Sequence, residues 1–457
     1  MTMNEARIQQ LKAAVDKHSE RALAAERHIW KNPETGYREW KTSEFMANQF
    51  RELGYEPIMA GNIPGFYCDL DTGRPGPKLL IMGELDSLIV ATHPECDPAT
   101  GYVHACGHHA QCAALIGVAA ALREPGALDG MCGSFRLMAV PAEELIEIGY
   151  REELRKQGVI KYYGGKVEFM YRGFMDGCDL AFMVHTANLD KPGIGYEAGC
   201  NGCVAKNIDF VGVSAHAGGS PDLGVNALYA ATMGMQAVNS LRETFRDDDH
   251  VRFHPIVTRG GGAVNAIPND VRLESYVRAA SLEAVIANNK KVNRALAGSA
   301  AAIGANVVLH DRAGYTPLHN NRMMLDLVDS VVTECFGADH LSASNDWGTG
   351  CTDMGDVAAV MPAVHPYASG AAGTGHGSDY HIEDPVSAVV NCAQFQVLLA
   401  DALLADGAAL AKKVIAESKP QFASKADYFK AMDSLFFDAE AVKYNTDGTL
   451  TIRYCNE

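Results

Sequence analysis

The sequence predicts an α/β protein, a mixed sheet flanked by helices, interrupted by an inserted ferredoxin-like α+β domain. Three observations predict it. In the first half, apolar runs of strand length alternate with Ala-rich helical stretches. Three of those runs end in polar residues, which places a site along one sheet edge. Near residue 199 the order changes to β-α-β-β-α-β, and α/β character resumes from about 320. A chain of 457 residues is too long for one ordinary core. The expected division is a first segment over 1–198, an insertion over 199–313 and a returning segment over 314–457 with a helical tail.

Each element has its own signal. The N-terminal "MTMNEARIQQLKAAVDKHSERALAAERHIW" reads as one charged amphipathic helix. "KLLIMGEL" (78–85) is a buried apolar strand ending in charge, and "CAALIGVAAALRE" (112–124) is an Ala-rich helix. "GSFRLMAVPAEE" (133–144) is a strand running into a proline and two carboxylates. "DLAFMVHTAN" (179–188) is a third, again with a polar tip. In the insertion, "CVAKNIDFVGVSAH" alternates like a half-exposed strand, and a helix follows at about 224–245. "HVRFHPIVTRGG" and "DVRLESYVRAA" make a hairpin around "GGGAVNAIPN". A helix over 282–303 and the strand "ANVVLHDRAG" close the unit. "NRMMLDLVDSVVTECF" then returns to helix, and "ASKADYFKAMDSLFFDAEAV" reads as an amphipathic helical tail.

Charge narrows the partners. With 56 acidic against 39 basic residues the net charge is −17, which argues against nucleic acid or an anionic membrane. No run of eighteen apolar residues occurs, and the N-terminus lacks the apolar core of a signal peptide, so the expected location is cytoplasmic. The twelve cysteines are scattered, many in apolar runs, and read as reduced core residues. Cys200 and Cys203 have redox or zinc spacing but no second pair beside them.

The chemistry concentrates in "VHACGHHAQC" (103–112). Cys106 and His108 are two apart and can face one point if the segment turns into the following helix. Thiolate and imidazole suit zinc or another borderline metal. Glu143, Glu144, His185 and His376 also sit at strand ends or in Gly-rich loops. So many metal-compatible side chains at such places argue for a metal site over packing.

"GELDSL", "HACGHHAQ", "PAEE", "VHTAN", "SAHAGGSPDLGVNAL", "GGAVNAIPND" and "GTGHGSDYHIED" stand in an order that resembles the dinuclear-metal aminoacylase/carboxypeptidase G metallopeptidases. The amidohydrolase branch, with hippurate hydrolase, indoleacetyl-amino-acid hydrolase and aminobenzoyl-glutamate hydrolase, is the most similar. "LDTGRPGP" and "TDMGDV" point to the aminobenzoyl-glutamate type. The resemblance spans about 20–405 and implies a metallopeptidase-type catalytic domain carrying a lid that dimerises.

Residue by residue, it implies that Cys106 bridges two divalent ions, zinc or manganese. His108 and His185 complete one site, Glu144 and His376 the other. Glu143 is the implied general base and Asp86 a positioner of a ligand histidine, although an Asp after a strand also caps helices. His216 and Asn265 lie in the insertion, and the resemblance gives them the oxyanion of a partner subunit's site. Arg278 occupies a position suited to a substrate carboxylate. Glu84 shares the strand end with Asp86 and could stand near the metals too, but receives no role.

The sequence departs from the family at His109, where Asp or Asn usually follows "CGH". Spacing points it away from His108, so it reads as structural, and His104 reads as packing or support. The stretch between Glu144 and His185 is long and could shape the substrate pocket. The implied activity is cleavage of the amide of an N-acyl or N-aroyl amino acid by a homodimer. A dipeptidase on the same scaffold, or a silent binder of such conjugates, stays open.

Overall fold

The computed structural model describes residues 4–456. Its central sheet has six strands in the order Ile58–Met59, Phe66–Asp71, Ser134–Val140, Lys78–Glu84, Leu180–Phe182, Ala363–Val364. Lys78–Glu84 runs parallel to both neighbours, and Leu180–Phe182 runs parallel to Ala363–Val364. Phe66–Asp71 is antiparallel to Ser134–Val140, so the sheet is mixed. Lys78–Glu84 and Ser134–Val140 are buried along nearly their whole length, which explains their unbroken apolar pattern. Four parallel strands thus end at one edge, and just beyond them stand Asp86, Glu143, Glu144, His185 and His365.

Helices cover both faces. On one, His108–Leu122 is buried at every position and packs against Ser19–Trp30 and Cys392–Glu417. A helix buried all round has no polar stripe to show, and its alanines allow that close packing. It begins at His108, four residues before the expected start, so the imidazole sits in the first turn. Val386–Glu417 is long and apolar enough to cross a membrane, yet 89% of its apolar window is buried inside the fold. It is a core helix.

The insertion forms a second sheet. Gly202–Val211 pairs antiparallel with Asp270–Ala279 on one side and Asn306–Ala313 on the other. Arg252–Phe253 and Ile256–Arg259 flank Asp270–Ala279 as the outer strand. Ala227–Asn239 and Leu282–Ala302 share one hydrophobic cluster with the sheet.

Three expectations are corrected. The N-terminal segment is two helices, Glu5–Asp16 and Ser19–Trp30, broken at Lys17-His18, where both side chains reach Glu124. Its first three residues lie outside the described ones. Gly202–Val211 is not half-exposed: it is buried at every position but Val211, and Lys206 is neutralised inside by Asp311, with Asn289 and Asn293 as further acceptors. The tail is helical only over Lys425–Asp433. Phe437–Glu440 then pairs with Asn306–Ala313 as the sheet's last strand, and Val442–Tyr444 and Leu450–Ile452 form a hairpin. Alternating burial of Phe437 and Ala439 suits that edge position.

Candidate active site

Local backbone geometry brings the polar residues to the sheet edge. Gly107 has φ +107°, a left-handed turn that presents Cys106 on one side and starts the helix with His108 on the other. The strand ends at Val140, and Ala142 takes φ +58°, so Glu143 and Glu144 leave the pleat and need not face opposite sides of a sheet. Hydrogen bonds fix that turn. Ala142 N donates to Glu39 at 2.7 Å, Glu144 N to Asp86 at 2.8 Å, and Arg151 to the Ala142 carbonyl at 3.1 Å.

Two donor sets share one thiol. Ligand atoms of Cys106, His108 and His185 lie within 4.8 Å of one another, and so do those of Cys106, Glu144 and His376. Cys106 Sγ is 3.4 Å from His185 Nε2, and His376 Nε2 is 3.3 Å from Glu144 Oε1. Both imidazoles of the first set are oriented from behind. His108 Nδ1 meets the Asp86 carbonyl at 2.9 Å, and His185 Nδ1 meets the Thr186 carbonyl at 2.7 Å. Donation from Nδ1 leaves each Nε2 lone pair aimed at the thiol side. Buried His108 Nε2 and Glu144 Oε1 make no hydrogen bond. Lone pairs free of hydrogen bonds, set around a thiol, imidazoles and a carboxylate, fit divalent metal ions.

Electrostatics separates the adjacent carboxylates. Burial, Glu84, Glu144 and Asp353 raise Glu143 well above the carboxylate range. Burial also works to raise Glu144, but His376 and His108 outweigh it and hold it at about 2. The same imidazoles matter for Cys106. Burial and Glu144 push its thiol up, while His108 and His185 bring it down to about 6. Glu144 in turn raises His376 to about 11.

Of the residues singled out by sequence, Glu143, Glu144, Cys106, His185, His376 and Arg278 share the wall of one cavity of about 340 Å³. His108 and Asp86 lie buried behind it. A cleft of about 380 Å³ near Pro317, Pro362 and Lys419 holds no metal-compatible cluster among the described residues, so the smaller cavity is the candidate site. His216 and Asn265 are elsewhere. They adjoin each other through the His216–Ala266 bridge and the 2.9 Å bond from Ala217 N to the Asn265 carbonyl, both exposed on the insertion. His109 faces away, 3.1 Å from Glu26 and packed on Trp30 and His104.

Sequence reasoning left several neighbours without a role in the site. Glu84 Oε2 is 3.1 Å from His108 Nε2, and its other oxygen meets Lys166, which also pairs with Asp353. His365 stacks on Tyr367 at 5.3 Å beside His185. Cys203 and Cys351 line the wall near Arg278, and Cys200 and Glu197 flank Gly348 on the same wall. The polar end of each apolar run was a signal for Glu84 and His365; nothing in the sequence marks Cys351.

Residues 80–402 match peptidase family M20/M25/M40. An Xaa-Arg dipeptidase of Mus musculus is 28% identical over 373 residues, 77% of each chain. An indole-3-acetyl-aspartic acid hydrolase of Enterobacter agglomerans is 28% identical over 291 residues, 58% of this chain and 60% of that one. A dinuclear metal binding peptidase of the M20 family from Bacillus subtilis superposes with TM-score 0.62 at 19% identity, covering 85% of this chain and 99% of the other. With that match across most of its length, the chain belongs to peptidase family M20/M25/M40 and is a metal-dependent hydrolase of linear amides.

Proposed function

We propose that the protein cleaves the amide of an N-acyl or N-aroyl amino acid, with Glu143 as general base and two divalent ions, zinc or manganese, held by Cys106, His108, His185, Glu144 and His376. The observation that carries this reading is the pair of donor sets meeting at Cys106, with Glu143 beside them. Bound there, the ions would polarise the amide carbonyl and make water acidic enough to lose a proton near neutrality.

The remaining work belongs to the chain. Glu143 takes the proton of the attacking water and returns it to the departing nitrogen, a shuttle suited to a carboxyl raised by its surroundings. Asp86 holds the His108 ring in one tautomer from behind. Arg278 receives the substrate carboxylate. A dipeptide substrate is the second reading, favoured by the likeness to an Xaa-Arg dipeptidase. His216 and Asn265 serve the oxyanion of a partner subunit in a homodimer, a role that accounts for their distance from their own cavity.

Two variants test the roles. Glu143→Gln keeps its metal and loses turnover by about a hundredfold or more, the usual scale for a general base. Glu144→Gln loses metal as measured by elemental analysis. Equal metal loss in both, or full activity of Glu143→Gln, overturns the assignment. Chelation abolishes hydrolysis of hippurate or aminobenzoyl-glutamate, and added Mn²⁺ or Zn²⁺ restores it.

A further inference from the structure

The cavity holds one carboxylate for which the proposed chemistry has no task. Glu197 follows the strand Ile194–Tyr196 and lines the same wall space as Cys106, Glu144 and His376. Its backbone carbonyl accepts from Asn320 at 2.9 Å, but its carboxylate makes no hydrogen bond or ion pair among the described residues. Room has been left for it. A Cβ on Gly348 would lie 2.4 Å from Glu197 Oε2, so a glycine there allows the carboxylate to sit against the backbone. Burial raises the Glu197 carboxyl, and Asp346 alongside raises it further. Both are the surroundings of an anion short of a counter-charge.

The cavity's other charges sharpen the point. Glu144 is matched by His376, and Glu143 faces His108. Among the described residues Arg278 is the single lysine or arginine on the wall, and it lies over the Tyr276 ring, near Cys203 and Cys351. A substrate carrying only a carboxylate would satisfy Arg278 and leave Glu197 with nothing.

We propose that Glu197 is a specificity residue that selects substrates bearing a cationic nitrogen, so that the cavity takes a conjugate with a carboxylate at one end and an ammonium or guanidinium at the other. This rests on the amide-hydrolase reading above. The nitrogen has two sources of the same chemistry, the free amino group of a dipeptide or a basic side chain.

Four probes distinguish them: glycyl-L-lysine, glycyl-L-norleucine, N-acetyl-L-lysine and N-acetyl-L-norleucine. Glycyl and acetyl differ by one ammonium, as do lysine and norleucine. With the metal-loaded wild-type protein, one of the two ammonium groups raises kcat/KM by about tenfold to a hundredfold, the range for a charge-assisted hydrogen bond. In Glu197→Gln, at unchanged metal content and melting temperature, that ratio collapses toward one. In Glu197→Asp part of it returns. A preference for the terminal ammonium marks a dipeptidase; a preference for lysine marks a reader of basic side chains. If acetyl-norleucine is cleaved as well as the cationic probes, or the ratio is the same in Glu197→Gln, the inference is overturned while the amide-hydrolase reading stands. If none of the four, nor hippurate, is cleaved by metal-loaded protein, both fall together.

Discussion

Glu143 and Glu144 are neighbours in sequence with opposite environments, and the turn that separates them depends on few atoms. Glu143 is crowded by Glu84, Glu144 and Asp353, whereas Glu144 meets His376. Gly107 plays the matching part on the other side of the site. An alanine there would keep φ at +107° against its preference and bring its Cβ to 2.5 Å from the Tyr380 hydroxyl. Backbone strain of this kind costs about 1–3 kcal/mol, before any clash. Gly107→Ala therefore lowers the melting temperature, and the displaced Cys106 and His108 lower kcat/KM by about tenfold or more. A double variant with Tyr380→Phe recovers only the part owed to the hydroxyl. Wild-type activity in Gly107→Ala would show that the turn does not position the thiol. The residues legible in sequence were those whose chemistry is rare at a strand end or a helix-starting turn: Cys106, His108, Glu144, His185. Glu84 was not, because a strand-end carboxylate looks the same whether it faces water or Lys166, which lies 82 residues further along.

At the scale of elements, apolar runs gave the central strands away, since strands buried on both faces have few alternatives. Polar alternation misled in the insertion. Lys206, Asn207 and Asp209 resemble a solvent face, yet all three are buried. Pattern cannot tell a cation in water from one neutralised by Asp311, which belongs to a strand a hundred residues away. The segment after Glu144 carried only the expectation that it could shape the substrate pocket; Leu145 and Ile146 line the cavity, and the helix that follows them is a brace. That helix, Ile148–Lys156, carries Glu152, which meets Arg312 of the insertion sheet at 2.9 Å and receives the Tyr163 hydroxyl at 2.6 Å. Burial would raise Glu152, but Arg312, Arg155 and Tyr163 outweigh it and depress its pKa. The folded value then lies below the unfolded one, so the pair's contribution is complete above the usual carboxylate range. It is lost as pH falls through that range toward the folded value. Glu152→Gln costs about 3 kcal/mol at neutral pH, because the one carboxylate Arg312 then keeps among the described residues is the more exposed Asp438. Urea midpoints measured from pH 7 to pH 3 show wild type and variant converging at the acid end. A constant gap across that series would mean the carboxylate's charge is not what holds the brace.

For the whole molecule, the question is what the insertion does with its outer surface. One edge of its sheet is closed by the chain's own Phe437–Glu440. The opposite edge, Ile256–Arg259, is exposed at all four positions. The insertion also exposes apolar side chains, among them Val213, Leu223, Tyr229, Ile256 and Val264. An open strand edge on a unit that also exposes apolar side chains favours pairing with a second copy. The dimer proposed above predicts complementation. Glu143→Ala and His216→Ala chains, each nearly inactive alone, are mixed at equal concentration and allowed to exchange subunits. About half of the dimers are then mixed, and each holds one site with both residues intact and one with neither, which gives roughly a quarter of wild-type activity. A charge placed on the open edge by Val257→Lys weakens the dimer in sedimentation and abolishes that recovery, although the substitution lies on the insertion and not on the cavity wall. If exchange is demonstrated with labelled chains and activity stays at the level of the separate variants, His216 does not act across the interface.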